Sequence, residues 1–222
     1  MSLNISKGNM YPFITHTWNT VKGKCPHGCS YCYMRRFGEQ KPIRFDKSEL
    51  KTDLGEGNFI FVGSSCDMWA VGVPETHILD TLNYCSKFDN RYLFQSKNPV
   101  RFYELEGRFP KISYLGTTIE TNRTYKEMGV APIPINRAIV MHHHSYYFPT
   151  MVTIEPIMDF DVKDLSALIY MCNPEWVNIG ADSQNSNLPE PSPDKIKALI
   201  DNLKSEGIEV KIKDNLRRLM GK

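Results

Sequence analysis

Short apolar runs alternate with amphipathic segments along the chain. The apolar runs are rich in β-branched and aromatic residues and predict seven strands: Ile14–Val21, Asn58–Gly63, Arg91–Gln95, Ile112–Ile119, Met151–Ile157, Trp176–Gly180 and Ile208–Ile212. Several of them are almost continuously apolar, as in FIFVG, which is typical of strands covered on both faces. The alternation predicts β-α units around a parallel sheet.

The amphipathic segments predict the helices between these strands. Three have apolar residues at helical spacing: Glu75–Phe88, Asp164–Cys172 and Asp194–Glu206. The last has the clearest boundaries, because Ser192 is suited to cap its start and Gly207 to end it. Weaker patterns predict further helices after Cys32, after Pro99 and around Asn136–His144.

Six or seven β-α units in 222 residues predict one α/β domain over residues 1–222, built as a partial (β/α)6 TIM-like barrel. An open doubly wound sheet is the alternative. Polar side chains follow nearly every predicted strand: Ser64, Ser65, Cys66, Asp67, Ser96, Lys97, Asn98, Thr118, Glu120, Glu155, Asp182 and Ser183. In a barrel these positions share the face at the carboxyl ends of the strands, where active sites are built.

Composition changes this picture little. The chain has 27 Lys and Arg against 25 Asp and Glu, so its net charge of +2 neither requires nor excludes a nucleic-acid partner. A hydrophobic content of 41% excludes a disordered chain. No run approaches the roughly 18 apolar residues of a membrane span, and no apolar signal segment opens the sequence. We expect a cytoplasmic protein without membrane contact.

Three of the six cysteines, Cys25, Cys29 and Cys32, form a C-x3-C-x2-C motif directly after the first predicted strand. Thiolates at this spacing favour zinc or an iron–sulfur cluster. A structural zinc ion needs a fourth ligand, which His27 or the distant Cys66 would have to supply. A zinc-stabilised nucleic-acid-binding module is therefore one interpretation of the motif.

The motif also has an aromatic residue, Tyr31, before its last cysteine, and in this form resembles the signature of radical S-adenosylmethionine (SAM) enzymes. In that superfamily three cysteines bind three irons of a [4Fe–4S] cluster, and the fourth iron binds SAM. The segments FVGSSCDMW, YLFQSKNP, GTTIETNR, VTIEPIMDFD and WVNIGADSQ extend the resemblance to a bacterial and phage-associated radical SAM family that is distantly related to spore photoproduct lyase. The likeness covers about residues 14–213 and implies a barrel of the radical SAM type.

The resemblance implies a role for each motif residue. Cys25, Cys29 and Cys32 would bind the cluster, and Tyr31 would lie near the adenine of SAM. The SAM contacts implied after later strands are Gly63, Ser64 and Ser65 for the amino group, Lys97 for the carboxylate, Thr118 and Glu120 for the ribose, and Asp182 for the adenine side. The Gly-Ser-Ser segment lacks the acidic residue of the family pattern, so backbone carbonyls or Asp67 would have to serve the amino group.

Two residues are catalytic candidates. Cys66 follows a strand in a polar loop and would donate a hydrogen atom to a substrate radical, although a free cysteine is also a common core residue. Glu155 ends a strand, where packing alone does not explain an acidic side chain. Cys85 and Cys172 lie on apolar helical stripes and are expected to pack in the core.

The implied activity is reductive cleavage of SAM by a [4Fe–4S] cluster, with hydrogen abstraction from a substrate. An electron donor such as flavodoxin or ferredoxin would be the redox partner. A nucleotide or nucleic acid is the first substrate hypothesis, by analogy with the lyase, and a peptide or small metabolite is the alternative. A subunit that holds the cluster without abstracting hydrogen is a further possibility.

The tract His142–His144 invites a metal-binding interpretation. Consecutive residues of a regular helix point about 100° apart, so three of them cannot reach one ion. The sequence therefore predicts a surface helix here.

Overall fold

Seven parallel strands form the centre of the fold in the computed structural model, which describes residues 3–8 and 10–221. They belong to an eight-stranded sheet in which only the first strand runs antiparallel to its neighbour. The sheet contains β1 (Asn4–Ile5), β2 (His16–Trp18), β5 (Phe59–Val62), β6 (Arg91–Ser96), β7 (Ser113–Thr118), β8 (Thr150–Ile154), β9 (Trp176–Ile179) and β10 (Glu209–Ile212). A separate antiparallel pair consists of β3 (Val21–Lys22) and β4 (Arg44–Phe45).

The strand order distinguishes the two predicted architectures. The parallel strands follow one another across the sheet in chain order, from β2 through β5 to β10. A doubly wound sheet reverses its strand order at a switch point, and this sheet does not. The prediction of a partial TIM-like barrel is confirmed, and the doubly wound alternative is wrong.

The strand register brings the predicted polar loops together. Trp18 pairs with Val62, Val62 with Phe94, Ser96 with Thr117, and Thr118 with Thr153. Because the strands are parallel, the loops that follow them leave the sheet at the same edge. The side chains after β2, β5, β6, β7, β8 and β9 therefore share one face of the molecule.

The helices cover the outside of the sheet. They are α1 (Glu75–Cys85), α2 (Arg101–Glu104), α3 (Pro134–His144), α4 (Val162–Met171) and α5 (Pro193–Ser205). The Ser192 hydroxyl accepts the backbone N–H of Lys195 at 3.4 Å, which confirms the predicted cap of α5. Short 3-10 helices span Tyr33–Phe37, Lys47–Lys51, Glu106–Arg108, Lys126–Met128 and Asp214–Leu219. No described helix is long and apolar enough to cross a membrane.

Two local predictions differ from the structure. The first predicted strand, Ile14–Val21, is interrupted after Trp18, because Asn19 turns its side-chain oxygen to the backbone N–H of Ser65 at 2.8 Å. The helix predicted after Cys32 is only a 3-10 helix, which Gly38 ends in a conformation with φ of 79°. Both differences lie beside the cysteine motif. There the side-chain contact of Asn19 and the conformation of Gly38 replace regular secondary structure.

The side chains of the core come from both faces of the strands and from the inner faces of the helices. Cys85 and Cys172 are fully buried within it, as predicted. The surface helix predicted for the histidine tract is only partly right, because His144 is fully buried while His142 is exposed. His144 packs against the rings of Phe102 and Tyr103.

Candidate functional site

A cavity of about 850 Å³ opens at the carboxyl edge of the sheet. Its lining residues come from the ends of the parallel strands, from the loops that follow them, and from the segment before β2. All but one of the predicted site residues line it: Cys25, Cys29, Tyr31, Cys32, Gly63, Ser64, Ser65, Cys66, Lys97, Thr118, Glu155 and Asp182. The exception is Glu120, which is fully buried behind the wall.

The cysteine loop is held by the segment that follows β7. The backbone N–H of Ser30 donates to the carbonyl of Glu127, and that of Val130 donates to the carbonyl of His27, both at 2.9 Å. The thiol of Cys29 donates to the carbonyl of Met128 at 3.2 Å. These contacts fix the loop before any cofactor is bound.

Gly129 makes this close approach possible. Its φ is +65°, and a Cβ atom at this position would lie 1.9 Å from the carbonyl oxygen of His27. Any side chain here would therefore push the two segments apart.

Gly129→Ala is expected to destabilise the fold by about 3 kcal/mol, because the left-handed strain and the clash add up. Gly207→Ala is the matched control, since Gly207 has φ of +80° but no atom within 4 Å of its Cβ position. It should lose only about 1 kcal/mol. Denaturant unfolding of the two variants measures the difference, and equal losses would show that the contact with the cysteine loop contributes nothing.

His27 and Asp67 join the cysteine loop to the neighbouring strands. The Nε2 atom of His27 lies 2.8 Å from the Asp67 carboxylate, and both side chains are largely buried. Asp67 also accepts hydrogen bonds from Ser96 and from the backbone N–H groups of Trp69 and Lys97. Burial alone would raise the pKa of Asp67, but the contact with His27 and these N–H donors lower it. The Asp67 carboxylate therefore stays charged to hold these loops.

Cys66 lies directly against the cysteine motif. Its thiol is hydrogen-bonded to Cys25, and this contact lowers the pKa of Cys25 below its ordinary value. Burial raises the pKa of Cys29 and Cys32. Cys66 is only 2% exposed, so it lies deeper than the polar-loop position expected from the sequence. Cys66 and the three motif cysteines all line the cavity.

The three thiols of this loop do not converge on one ion position. Sulfurs bound to one tetrahedral zinc ion lie about 3.8 Å apart. Within residues 3–8 and 10–221, no three ligating atoms of this loop lie within 4.8 Å of one another. The Nε2 atom of His27, the local candidate for a fourth zinc ligand, is bonded to Asp67, which leaves Nδ1 as its metal-binding nitrogen. Cys25, Cys29 and Cys32 all line the cavity.

A buried ion network lies behind the opposite part of the wall. The Glu120 carboxylate accepts hydrogen bonds from Tyr31, Lys97 and Arg137, and the Arg137 contact measures 2.9 Å. Glu120 and Arg137 are both fully buried. Burial by itself would raise the pKa of Glu120, but the charges of Lys97 and Arg137 outweigh it and hold the pKa at about 2. The network leaves the Lys97 side chain 18% exposed at the cavity wall.

The Gly63–Ser65 turn is held by two side chains. The carbonyl of Ser64 accepts the hydroxyl of Tyr33, which also lines the cavity, at 2.7 Å, and Asn19 accepts the backbone N–H of Ser65. Gly63 has φ of +81°, a conformation that glycine adopts without strain. These contacts fix the orientation of the turn at the cavity wall.

Three further predicted residues lie along the rest of the wall. The Thr118 hydroxyl accepts the Gln95 amide at 3.1 Å. Glu155 accepts hydrogen bonds from Lys213 at 2.6 Å and Asn215 at 2.9 Å. Asp182 accepts backbone N–H groups of its own loop. Packing alone does not explain an acidic side chain at the position of Glu155. Its ionic partner is Lys213, in the segment after β10.

Comparison with known proteins adds to this geometry. No family model matches the sequence, and a search of the curated proteins found no match. The solved structure of a Cys-to-Ser variant of spore photoproduct lyase superposes with a TM-score of 0.67 at 10% identity, covering 94% of this chain and 79% of the lyase chain. The chain has the fold of spore photoproduct lyase. This finding confirms the expected partial TIM-like barrel.

Two further spore photoproduct lyase structures carry ligands. One is complexed with a dinucleoside spore photoproduct and matches with a TM-score of 0.66 at 10% identity, over 94% of this chain and 78% of the lyase chain. The other, a double mutant with bound AdoMet and the same dinucleoside, matches with a TM-score of 0.59 at 11% identity, over 89% of this chain and 63% of the lyase chain.

Three residues that support the cavity wall of this spore photoproduct lyase fold were not predicted from the sequence: Arg137, Asn19 and Tyr33. Arg137 lies in the apolar pattern PINRAIVM, and an arginine within such a stripe signals a buried partner. Asn19 and Tyr33 carry no comparable signal, because each acts through one backbone contact of a distant loop.

Proposed function

We propose that this chain is a radical SAM enzyme that uses a [4Fe–4S] cluster to cleave SAM and abstract hydrogen from a nucleotide or nucleic-acid substrate. The observation that carries the proposal is the position of Cys25, Cys29 and Cys32. They lie after the first parallel strand of a spore photoproduct lyase fold, on the wall of a cavity that also exposes Lys97.

In this proposal Cys25, Cys29 and Cys32 hold the cluster. When bound, the cluster supplies one electron that cleaves SAM into methionine and a 5′-deoxyadenosyl radical. The contacts of the cysteine loop with Met128, Gly129 and Asp67 keep the three thiols at one wall. An external donor such as flavodoxin or ferredoxin would provide the electron.

Lys97 is proposed to bind the carboxylate of SAM. Its ammonium lies at the cavity wall, with Glu120 behind it and the Tyr31 ring 4.9 Å below it. Two cations, Lys97 and Arg137, share the single charge of Glu120, so the network keeps positive charge for an incoming carboxylate. Glu120 does not line the cavity, and we therefore propose that it acts by positioning Lys97 and Tyr31, rather than by contacting the ribose.

The remaining predicted contacts are assigned to the same ligand. Gly63, Ser64 and Ser65 would receive the amino group through backbone carbonyls, since Asp67 is committed to His27. Thr118 would lie beside the ribose, and Tyr31 and Asp182 near the adenine.

Lys97→Met is expected to weaken SAM binding by about 10- to 100-fold, because it removes a charge-assisted hydrogen bond. Lys24→Met is the matched control, since Lys24 also lines the cavity but is exposed. Equilibrium binding of SAM to cluster-loaded protein measures the change, and iron content checks that both variants carry the cluster. If the two variants bound SAM with equal affinity, the proposal that Lys97 binds the SAM carboxylate would be wrong.

A nucleotide or nucleic acid is the proposed substrate. The lyase structures with a bound dinucleoside support this class. Four basic residues of the cavity lining are exposed and suit phosphate groups: Lys7, Lys24, Arg35 and Arg36. Glu155, with its carboxylate fixed by Lys213 and Asn215, remains a predicted catalytic residue at the substrate side.

Cys66 is proposed as the hydrogen donor to the substrate radical. In that step the S–H bond of Cys66 breaks, a C–H bond forms on the substrate, and the unpaired electron passes to sulfur. Its burial and its contact with Cys25 support the role, because the thiol is shielded from solvent next to the proposed cluster.

Anaerobic reconstitution with iron and sulfide tests the cofactor assignment. The proposal predicts about four irons and four sulfides per chain, and a reduced cluster whose electron paramagnetic resonance spectrum changes when SAM is added. A colourless protein that binds zinc at the cysteine loop, with no effect of SAM, would contradict it.

A further inference from the structure

A second cluster of metal-ligating side chains lies outside the cavity, between two segments of the helical layer. Glu106 begins the 3-10 helix after α2, and His143 and His144 end α3. The ligating atoms of these three residues all lie within 4.8 Å of one another. None of the three lines the cavity of the proposed SAM site.

The distances within this trio match the spacing of ligands around one ion. The Glu106 Oε1 atom lies 3.4 Å from His143 Nε2 and 3.2 Å from His144 Nδ1. Ligands bound at 2.0–2.1 Å around a tetrahedral zinc ion are about 3.3–3.4 Å apart. The two distances from the carboxylate oxygen to the nitrogens therefore match the spacing of ligands around a tetrahedral zinc ion, and the two nitrogens lie within 4.8 Å of each other.

The geometry of α3 explains how two consecutive histidines converge. His142 turns away, with its Nδ1 atom 2.9 Å from the carbonyl of Met171. His143 and His144 lie on the last turn of the helix, and the Glu106 carboxylate lies within 3.4 Å of one nitrogen of each ring. Three consecutive histidines of a helix cannot reach one ion, but these two approach the same carboxylate oxygen.

Burial provides a second, independent observation. The side chain of His144 is fully buried, and that of His143 is 39% exposed. The Nε2 atom of His143 is buried and, among the described residues, makes no hydrogen bond, although it is aimed at Glu106. An imidazole nitrogen in this position gains a strong partner if an ion lies between it and the carboxylate. The ring of Tyr103 packs 4.6 Å from both imidazoles and restricts their rotation.

We propose that Glu106, His143 and His144 form a zinc site that joins the segment after α2 to the end of α3. Two imidazoles and one carboxylate are a donor set that zinc prefers, and solvent at the partly exposed side would supply the fourth ligand. The ion would link these two parts of the outer layer by coordination, in addition to the packing of Phe102 and Tyr103 against the two histidines.

Zinc content and thermal stability test the site in the full-length chain. The variants are Glu106→Gln and His143→Ala, with His142→Ala as the matched control from the same tract. After incubation with zinc chloride and gel filtration, wild type and His142→Ala should retain one zinc more per chain than the two site variants. Added zinc should raise the melting midpoint of the wild type by about 5 °C, and that of the site variants by clearly less.

The outcome is independent of what the cysteine loop binds. Iron measured in the same samples reports on the loop, while the loss of one zinc between wild type and Glu106→Gln reports on this trio alone. Equal zinc content in wild type, Glu106→Gln and His143→Ala would overturn the proposal and leave a hydrogen-bonded trio without metal. Melting curves without zinc show whether each variant folds. If Glu106→Gln does not fold, the zinc content of His143→Ala tests the proposal.

Discussion

Replacing Cys29 by serine is expected to reduce bound iron to below half of the wild-type content and SAM cleavage by at least about 100-fold. Cys29 is the central cysteine of the motif, and it lines the cavity and packs with Tyr31. A serine hydroxyl remains protonated at neutral pH and is a poor ligand for iron, so the cluster would lose one of three protein bonds. Iron analysis and the yield of 5′-deoxyadenosine measure the effect.

Cys172→Ser is the matched control for this substitution. Cys172 is also buried, and its thiol donates to the carbonyl of Leu168 at 3.3 Å, a contact that a serine hydroxyl preserves. We expect normal iron content and turnover in this variant. If Cys29→Ser kept its iron and its SAM cleavage, the assignment of the motif as the cluster site would be wrong.

The second large effect concerns the buried charge of Glu120. Glu120→Gln is expected to lower the free energy of unfolding by about 3 kcal/mol at pH 7, because it leaves the fully buried Arg137 without a counter-ion. It also releases Lys97 and Tyr31 from the contacts that orient them. Denaturant unfolding measures the loss. Glu104→Gln should show almost none, because the Glu104 side chain is 50% exposed and its contact with Arg101 is long, at 3.5 Å.

The loss should depend on pH in a defined direction. The pKa of Glu120 is held at about 2, below its ordinary value of 4.5. The charged carboxylate therefore stabilises the fold fully above about pH 4.5, and this contribution disappears as the pH falls toward 2. The difference between wild type and Glu120→Gln should shrink between pH 7 and pH 3. A difference that stayed constant over this range would show that Glu120 does not stabilise the fold as an anion.

The sheet was predictable from the sequence, because its strands are short apolar runs separated by polar segments that contain glycine or proline. All seven predicted parallel strands are present, and the order in which they pair follows from successive right-handed β-α connections. The end of α5 and the burial of Cys85 and Cys172 were also predictable, since each depends on residues close together in sequence.

The residues that build the cavity wall were less predictable. The spacing of Cys25, Cys29 and Cys32 indicated a metal centre, but the hydrogen bonds of Met128 and Val130 to this loop join segments about a hundred residues apart. Glu120 was expected to touch the cofactor, whereas it lies behind Lys97 with Arg137 as its partner. Contacts of this kind form between side chains on loops that meet only at the edge of the folded sheet. The pattern of apolar and polar residues does not show which of these side chains come within bonding distance.

Reductive cleavage of SAM tests the central proposal most directly. Anaerobically reconstituted protein, reduced with dithionite and mixed with SAM, should form 5′-deoxyadenosine and methionine in equal amounts, and Cys29→Ser should form neither above the level of a reaction without protein. If the iron-loaded wild-type protein binds SAM but releases no 5′-deoxyadenosine, the chain is not a radical SAM enzyme of the proposed kind.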